Sequence, residues 1–257
     1  MLKKILWFLS SQLGINPILF IKSLRGSVSY LIDLYNFNKN YSGNLKITPC
    51  LADRYDEGGS VRSEYFWQDL LVARFIFERN PVKHVDVGSR VDGFVAHVAS
   101  FREVEVFDVR QITSIIPGIK FIQADLMDDL VFNKKNDYTD SLSCLHALEH
   151  FGLGRYGDPI DPIGYQKGLI NMSRILKKDG IFYLSIPLGQ ERVEFNANHI
   201  FNPSKILDFC YNINLSVIDL TIIKNDGIIT KIKIDNESLS KLSMEDYSLG
   251  IFTFIKI

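Results

Sequence analysis

The sequence is poor in cysteine. Only Cys50, Cys144 and Cys210 occur in 257 residues, widely spaced and with no CxxC pair. That excludes a disulfide framework, and the three read as free thiols in a reducing cytoplasm. The chain also lacks a charge excess: 29 basic and 30 acidic side chains leave a net charge of −1. A nucleic-acid partner, which calls for a basic excess or stripe, is not expected. Internal repeats and low-complexity tracts are missing. So is a long apolar run. Met1-Leu2-Lys3-Lys4 followed by Ile5 to Leu9 imitates the start of a signal peptide. Ser10, Ser11, Gln12 and Asn16-Pro17 break the run, and no small-residue cleavage site follows. The stretch is too short and too polar for a spanning helix.

What is there suits a folded α/β protein. Hydrophobic residues make up 46% and charged residues 23%, enough for a sizeable core. The length fits one large domain with an extension, or two small ones. Residues 2–13 and 17–36 read as two apolar helical pieces. They either cap the main domain or pack in a homodimer, or they attach peripherally to the inner membrane face through residues 1–37, with Lys3, Lys4, Lys22 and Arg25 near headgroups. Residues 38–62 are rich in Asn, Ser, Gly and Asp and read as an irregular connection. The expected division is an N-terminal helical extension over 1–60 and a main domain over 61–257.

The main domain is organised around residues 82–93. Apolar residues run into Asp86 and Gly88, a helical pattern follows from Phe94 to Ala99, and a second apolar run, Val104 to Phe107, ends in Asp108. This strand, turn, helix and second strand puts a nucleoside ligand over the strand ends of a doubly wound sheet. The first turn would offer backbone N–H groups at a helix start. Asp108 follows Asp86 by 108 − 86 = 22 residues, a spacing that suits a ribose-binding acid. Before this unit, a helix from Ser63 to Glu78 would bury Phe66, Leu70, Ala73, Phe75 and Phe77, with Ser60 or Ser63 as its cap. After it, strands are expected at 120–123, 141–145, 181–186, 215–223, 228–234 and 249–257. Helices are expected at 163–177, stopped by Lys177-Lys178-Asp179-Gly180, and at 203–211, opened by Asn202. Pro187 would halt the strand at 181–186. The alternation argues for a mostly parallel sheet covered on both faces, with an antiparallel edge.

This order resembles the class I S-adenosylmethionine-dependent methyltransferase superfamily, whose Rossmann-like, doubly wound sheet has seven strands with the last antiparallel. Residues 140–150, an apolar strand running into Leu148-Glu149-His150, resemble its fourth-strand segment. Residues 174–180 resemble its turn before strand five. The sequence resembles more closely an uncharacterised methyltransferase-like family found with bacterial surface-polysaccharide genes. Residues 65–69, 84–90, 145–162 and 191–196 carry that likeness. The resemblance implies S-adenosylmethionine as cofactor and a sugar or glycan substrate. It implies an O-methyltransferase or, alternatively, a binding or scaffold protein that keeps the fold without the transfer.

The superfamily's cofactor turn carries an acid and three alternating glycines. Asp86 and Gly88 match it. Arg90 and Asp92 stand where the second and third glycines would be, and Gly93 comes one step late. Arg90 could clash with a ligand or pair with its carboxylate. The candidate cofactor residues are Asp86, Gly88, Ser89, Arg90, Gly93, Asp108, Asp125 and Leu126. Asp125 could accept from an adenine amine or cap a helix, and Leu126 could flank the ring.

Residues 146–162 hold the candidate catalytic group: His146, Glu149, His150, Arg155, Tyr156 and Asp158. His146 or His150 would be the base, and Arg155, Tyr156 and Asp158 would contact substrate. His199 is a second candidate base. Residues 146–150 also spell H-x-x-E-H, a zinc-peptidase pattern. It requires a helix, and here a strand feeds His146. A divalent ion assisting a sugar transferase stays open as an alternative without being the expectation. Amino-group methyltransferases often show an Asn/Asp-Pro-Pro-aromatic segment after strand four. Asp158-Pro159-Ile160 sits too late and lacks the second proline and the aromatic, which favours oxygen as acceptor.

Overall fold

The computed structural model describes residues 2–56, 58–59, 61, 63–129, 135–224 and 227–257, with the backbone alone for residues 2–4. The side chains of Lys3 and Lys4, and Ser60 as a cap, lie outside the described residues. The chain divides into two compact units, residues 1–60 and 61–257.

The first unit is helical. Helix α1 spans Leu2–Gln12 and α2 spans Pro17–Asn40, four residues beyond the expected end. Asn16 caps α2 by accepting from the N–H of Leu19, and Pro17 sits at the start, where its missing N–H costs nothing. A short 3-10 turn, Asp53–Tyr55, follows.

The second unit is an eight-stranded sheet with helices on both faces. Its helices are α3 (Glu64–Arg79), α4 (Ala96–Ala99, entered through a π-turn at Val91–Val95), α5 (Gly164–Ile175), α6 (Pro203–Asn212) and α7 (Asn236–Ser243). Its strands are β1 (His84–Val87), β2 (Val104–Asp108), β3 (Ile119–Gln123), β4 (Thr139–Leu145), β5 (Leu176–Leu188), β8 (Leu215–Ile223), β9 (Ile229–Lys231) and β10 (Ser248–Lys256). A separate hairpin pairs β6 (Arg192–Glu194) with β7 (Asn198–Ile200). The sheet order is β3-β2-β1-β4-β5-β10-β8-β9. Strands β1 to β5 are parallel, and β10 enters antiparallel between β5 and β8. The last strand is therefore interior, and the short β9 forms the edge.

Alternation along the strands sorts the core. Val85, Val87, Leu142, Phe182, Leu184 and Ile186 face one way, against Leu169 and Met172 of α5 and Ile206 and Cys210 of α6. Ile181 and Tyr183 face the other way, with Val72 and Ile76 of α3, Phe94 of the turn before α4 and Val98 of α4. Each fully buried side chain of this size contributes roughly 1.5–3 kcal/mol.

Three expectations needed correction. Helix α3 buries Gln68, Asp69, Val72, Ala73 and Ile76, while Leu70 and Phe77 are exposed. The true stripe includes two polar residues, which hid it from a hydrophobicity pattern. Ser63 caps this helix by accepting from Tyr65 N–H. Helix α5 ends at Ile175, and residues 177–180 form an irregularity where β5 meets β4: Leu176 pairs with Thr139 and Ile181 with Ser141. Pro187 does not stop β5, which pairs through it with Leu249. The Pro187 carbonyl accepts from Phe201 N–H, so its backbone edge faces away from β10 and no ladder donor is lost.

Candidate functional site

A cavity of about 610 Å³ opens over the carboxyl ends of β1, β2, β3 and β4. That volume lies within the roughly 300–1,000 Å³ of ligand pockets. The sheet order reverses between β1 and β4, which makes this the topological switch point where open α/β sheets bind ligands.

The β1 turn is built on a buried polar network. His84 and Asp86 of β1 lie beside Ser141 and Ser143 of β4 in register. Asp86 accepts from Ser89 N–H at 3.0 Å, Ser89 Oγ at 2.6 Å and Ser143 Oγ at 2.5 Å. Burial raises its carboxyl and these donors pull it back, leaving it at about 6. His84 lies between Ser141 Oγ and Ser143 Oγ at 2.8 and 3.1 Å, and burial lowers it to about 3, so it is neutral. Asp86 thus braces the turn and does not line the cavity. Gly88 takes φ +69°, a conformation that suits glycine, and a Cβ there would lie 2.9 Å from that of Ala147. Its N–H donates to Phe107 O. With Ser89 N–H given to Asp86, the N–H groups of these two residues serve the fold and not a ligand.

Arg90 lines the cavity and forms a two-pronged pair with Asp92, Nη2 to Oδ2 at 2.8 Å and Nε to Oδ1 at 3.2 Å. Its guanidinium lies 5.5 Å from the ring centre of Tyr65. Gly93 does not line the cavity. A Cβ there would lie 2.6 Å from Asp69 Oδ2, so its missing side chain makes room for a buried carboxylate of α3.

Asp108 closes β2, 7% exposed, and lines the cavity. Arg110 donates to both its oxygens, Nε at 3.0 Å and Nη2 at 2.7 Å, and Arg110 N–H adds a third bond at 2.8 Å. Asp125 and Leu126 line the adjoining wall. Asp125 accepts from Met127 N–H at 2.8 Å in a local turn, and burial raises its carboxyl.

The β4 loop turns sharply. His146 has φ +51°, and residues 148–150 form a single 3-10 turn, so the helix that a zinc-peptidase motif needs is not there. Among the described residues no three His, Cys, Asp or Glu side chains are grouped to hold an ion. His146 Nδ1 lies 2.8 Å from Glu149 Oε1 and its Nε2 3.4 Å from Glu64 Oε1, with the Tyr65 ring 4.4 Å away. Burial opposes its charge. The hydrogen bond to Glu149 and the pairing with Glu64 outweigh that and push it up to about 9. His146 is therefore an imidazolium at neutral pH and is corrected from base to buried cation. Glu149 lies behind it, 1% exposed and off the cavity wall. Tyr247 Oη donates to Glu64 at 2.6 Å and completes the cluster.

His150 differs. It lines the cavity, and its Nδ1 lies 2.7 Å from Ala197 O. A carbonyl can only accept, so Nδ1 carries the proton and Nε2 carries the lone pair. Burial lowers its pKa, Glu149 opposes that, and Arg155 adds to it, leaving His150 below its usual value. Arg155 lines the same wall, donates to Ala197 O at 2.9 Å, and has no carboxylate partner among the described residues. Tyr156 sits between two guanidinium groups, Arg110 at 4.3 Å and Arg155 at 5.3 Å from its ring centre. Asp158 is spent on the loop itself: its oxygens accept from the N–H groups of Gly152, Gly154 and Tyr156. His199 does not line the cavity. It is buried in aromatic packing with Tyr165 and Phe201, which removes it as a second base.

Sequence reasoning missed Arg110, Glu64 and Tyr247. An Asp-x-Arg spacing was a usable signal for Arg110. Nothing in the sequence links Glu64 or Tyr247 to His146.

The sheet order, the interior antiparallel strand and the cavity at the switch point define the fold of the class I methyltransferases. No curated protein matches the sequence. A family model described as Caenorhabditis protein of unknown function, DUF268, matches residues 100–215, less than half of the chain. Among solved structures, the chain is similar to 1,6-didemethyltoxoflavin-N1-methyltransferase of Burkholderia thailandensis with bound S-adenosylhomocysteine. The TM-score is 0.53 and the identity 12%, over 94% of this chain and 91% of that one. It is similar to the 4+2 cyclase SpnF, with a TM-score of 0.52 and 14% identity over 73% and 81% of the two chains. It is also similar to geranyl diphosphate methyltransferase in complex with SAM, with a TM-score of 0.51 and 12% identity over 73% and 85%. Likeness at this level establishes the fold. A cyclase stands among these structures, so the reaction has to be argued from the site.

Proposed function

We propose that the chain is an S-adenosylmethionine-dependent O-methyltransferase acting on a sugar or surface-glycan intermediate. The observation that carries this reading is His150, a neutral imidazole with a fixed tautomer on the wall of the switch-point cavity. The cavity's other wall fits a nucleoside cofactor: Asp108 for ribose hydroxyls, Asp125 and Leu126 for the base, and the tight Gly88 turn below. S-adenosylmethionine supplies an electrophilic methyl group on a sulfonium. His150 Nε2 would take the proton of the acceptor hydroxyl as its oxygen bonds to the methyl carbon and the methyl–sulfur bond breaks to leave S-adenosylhomocysteine, because Nδ1–H is committed to Ala197. Arg155, free of any carboxylate among the described residues, and the Tyr156 ring hold the acceptor. The sugar context rests on the resemblance at residues 65–69, 84–90, 145–162 and 191–196, and the choice of oxygen on the missing Asn/Asp-Pro-Pro-aromatic segment.

One observation favours a second reading, a binding or scaffold protein without transfer. Arg110 clamps the acid that the ribose would need. Incubation with methyl-labelled S-adenosylmethionine and a panel of nucleotide-linked and lipid-linked sugars separates the two. Label transfer that His150→Gln abolishes supports the enzyme. Cofactor binding without transfer to any sugar supports the scaffold.

A further inference from the structure

The first unit carries more exposed apolar surface than a water-facing helix pair needs. Trp7 is 59% exposed, Phe20 65%, Val28 64%, Leu31 63% and Tyr35 71%. Ile5, Phe8, Ile21, Leu24 and Ile32 are exposed as well. Scattered exposed apolar residues are ordinary, but a contiguous set of this size marks an interaction surface.

The polar residues of α2 are gathered on the opposite side and closed off from within. Lys22, Arg25, Gly26, Ser29 and Asp33 recur at helical spacing on one stripe. Gly26 is buried, and a Cβ there would overlap Leu51 O, so the returning segment lies directly on that stripe. Asp56 pairs with Lys22 at 2.5 Å, Arg54 with Asp33, and the Arg25 guanidinium lies 4.8 Å from the Tyr55 ring centre. Each charge of the helix before its last turn thus meets a partner in residues 54–56. Hydroxyls are satisfied locally too. Ser10 donates to Leu6 O at 2.9 Å, Ser11 to Trp7 O at 2.7 Å and Ser27 to Ser23 O at 2.8 Å. Such back-bonding lets a serine lie in a medium without water.

The charge pattern selects the occupant. The first 32 residues contain Lys3, Lys4, Lys22 and Arg25 and no acidic residue, Asp33 being the first. With Lys22 and Arg25 turned toward residues 54–56, the basic residues left are Lys3 and Lys4 of α1, and an aromatic-bearing apolar surface with no acidic residue complements anionic headgroups over an acyl layer. A second copy of the chain fits less well. Ile21, Leu24, Val28, Leu31 and Tyr35 do have seam-like spacing, but of the flanking residues Phe20, Ser27, Ile32 and Leu34 are uncharged and Arg25 lies against Tyr55, so there are no complementary charges to set a paired register. No single described helix is long and apolar enough to cross a membrane. Only the pair Ile5–Gln12 and Pro17–Asn40, bent by 81°, passes that test together.

We propose that residues 2–40 form a monotopic anchor that beds α1 and the apolar side of α2 into an anionic lipid surface. This is independent of the methyl-transfer reading. The test is flotation of the full-length chain with phosphatidylcholine vesicles, with and without phosphatidylglycerol, alongside the variant Leu24→Glu/Leu31→Glu. Thermal melting of the second unit checks that the variant is folded, and sedimentation equilibrium reports its oligomeric state. The expected result is flotation that rises with phosphatidylglycerol and drops at least about tenfold in the variant. Absence of the wild-type chain from the lipid fraction, or equal flotation of the folded variant, would overturn the proposal. So would loss of a dimer in the variant without vesicle binding by the wild type, which would assign the surface to a second copy.

Discussion

Arg110 grips Asp108 with two parallel hydrogen bonds, at 3.0 and 2.7 Å, across the wall where a ribose would sit. The acid and its clamp make opposite predictions. Asp108→Ala should weaken S-adenosylhomocysteine binding by about 10-fold or more, one to two lost hydrogen bonds to a charged acceptor. Arg110→Gln should leave binding unchanged or strengthen it, because Asp108 no longer has to be released. Isothermal calorimetry reads both. Weakening by Arg110→Gln equal to that by Asp108→Ala would mean that Arg110 itself touches the ligand.

His150→Gln should lower turnover by roughly 10²–10⁴-fold while the cofactor affinity stays the same. A base works unprotonated, and burial holds His150 below 6.5. Activity should therefore fall as pH drops through a value below 6.5 and be flat above it, and the variant should lack that limb. A pH–rate profile of both proteins checks this.

His146 gives the opposite pH dependence, and in stability. Its folded pKa of about 9 exceeds the ordinary 6.5, so the folded state holds the proton more tightly. Its contribution is full below pH 6.5 and is lost as pH rises through 9. His146→Asn leaves Glu149 buried without its cation and should cost about 3–5 kcal/mol at neutral pH. Urea denaturation should show the gap between wild type and variant narrowing toward about pH 10.

Gly93→Ala separates a structural glycine from a ligand-touching one. The new Cβ would press on Asp69 Oδ2, so the melting temperature should fall, by an amount equivalent to about 1–3 kcal/mol. Affinity for S-adenosylhomocysteine in the folded variant should not change.

The fold was legible where local chemistry is strong. Asn202 caps α6, Asn16-Pro17 opens α2, and the apolar runs ending in Asp86 and Asp108 mark β1 and β2. It was illegible where polar residues are buried, as with Gln68 and Asp69 on the inner side of α3, or where register decides, as with Pro187 inside β5. The hairpin β6–β7 and the helix α7 were missed because their segments are short and mostly polar. Of the candidate site residues singled out in the sequence, Asp86, Gly93, Glu149 and His199 do not line the cavity and the others do. Their roles were not legible, since a role depends on partners distant in sequence. Glu149 and the distant Glu64 together raise His146, while burial lowers His150 and the distant Ala197 fixes its tautomer. Asp86 fits the motif's spacing and Gly93 sits one step off it, and neither lines the cavity.

The central claim is that this cavity binds S-adenosylmethionine. Calorimetric titration of the full-length chain with S-adenosylmethionine and S-adenosylhomocysteine tests it most directly. The account predicts saturable binding of both, at one site per chain, weakened by Asp108→Ala. Absence of binding by either ligand at millimolar concentration would contradict it.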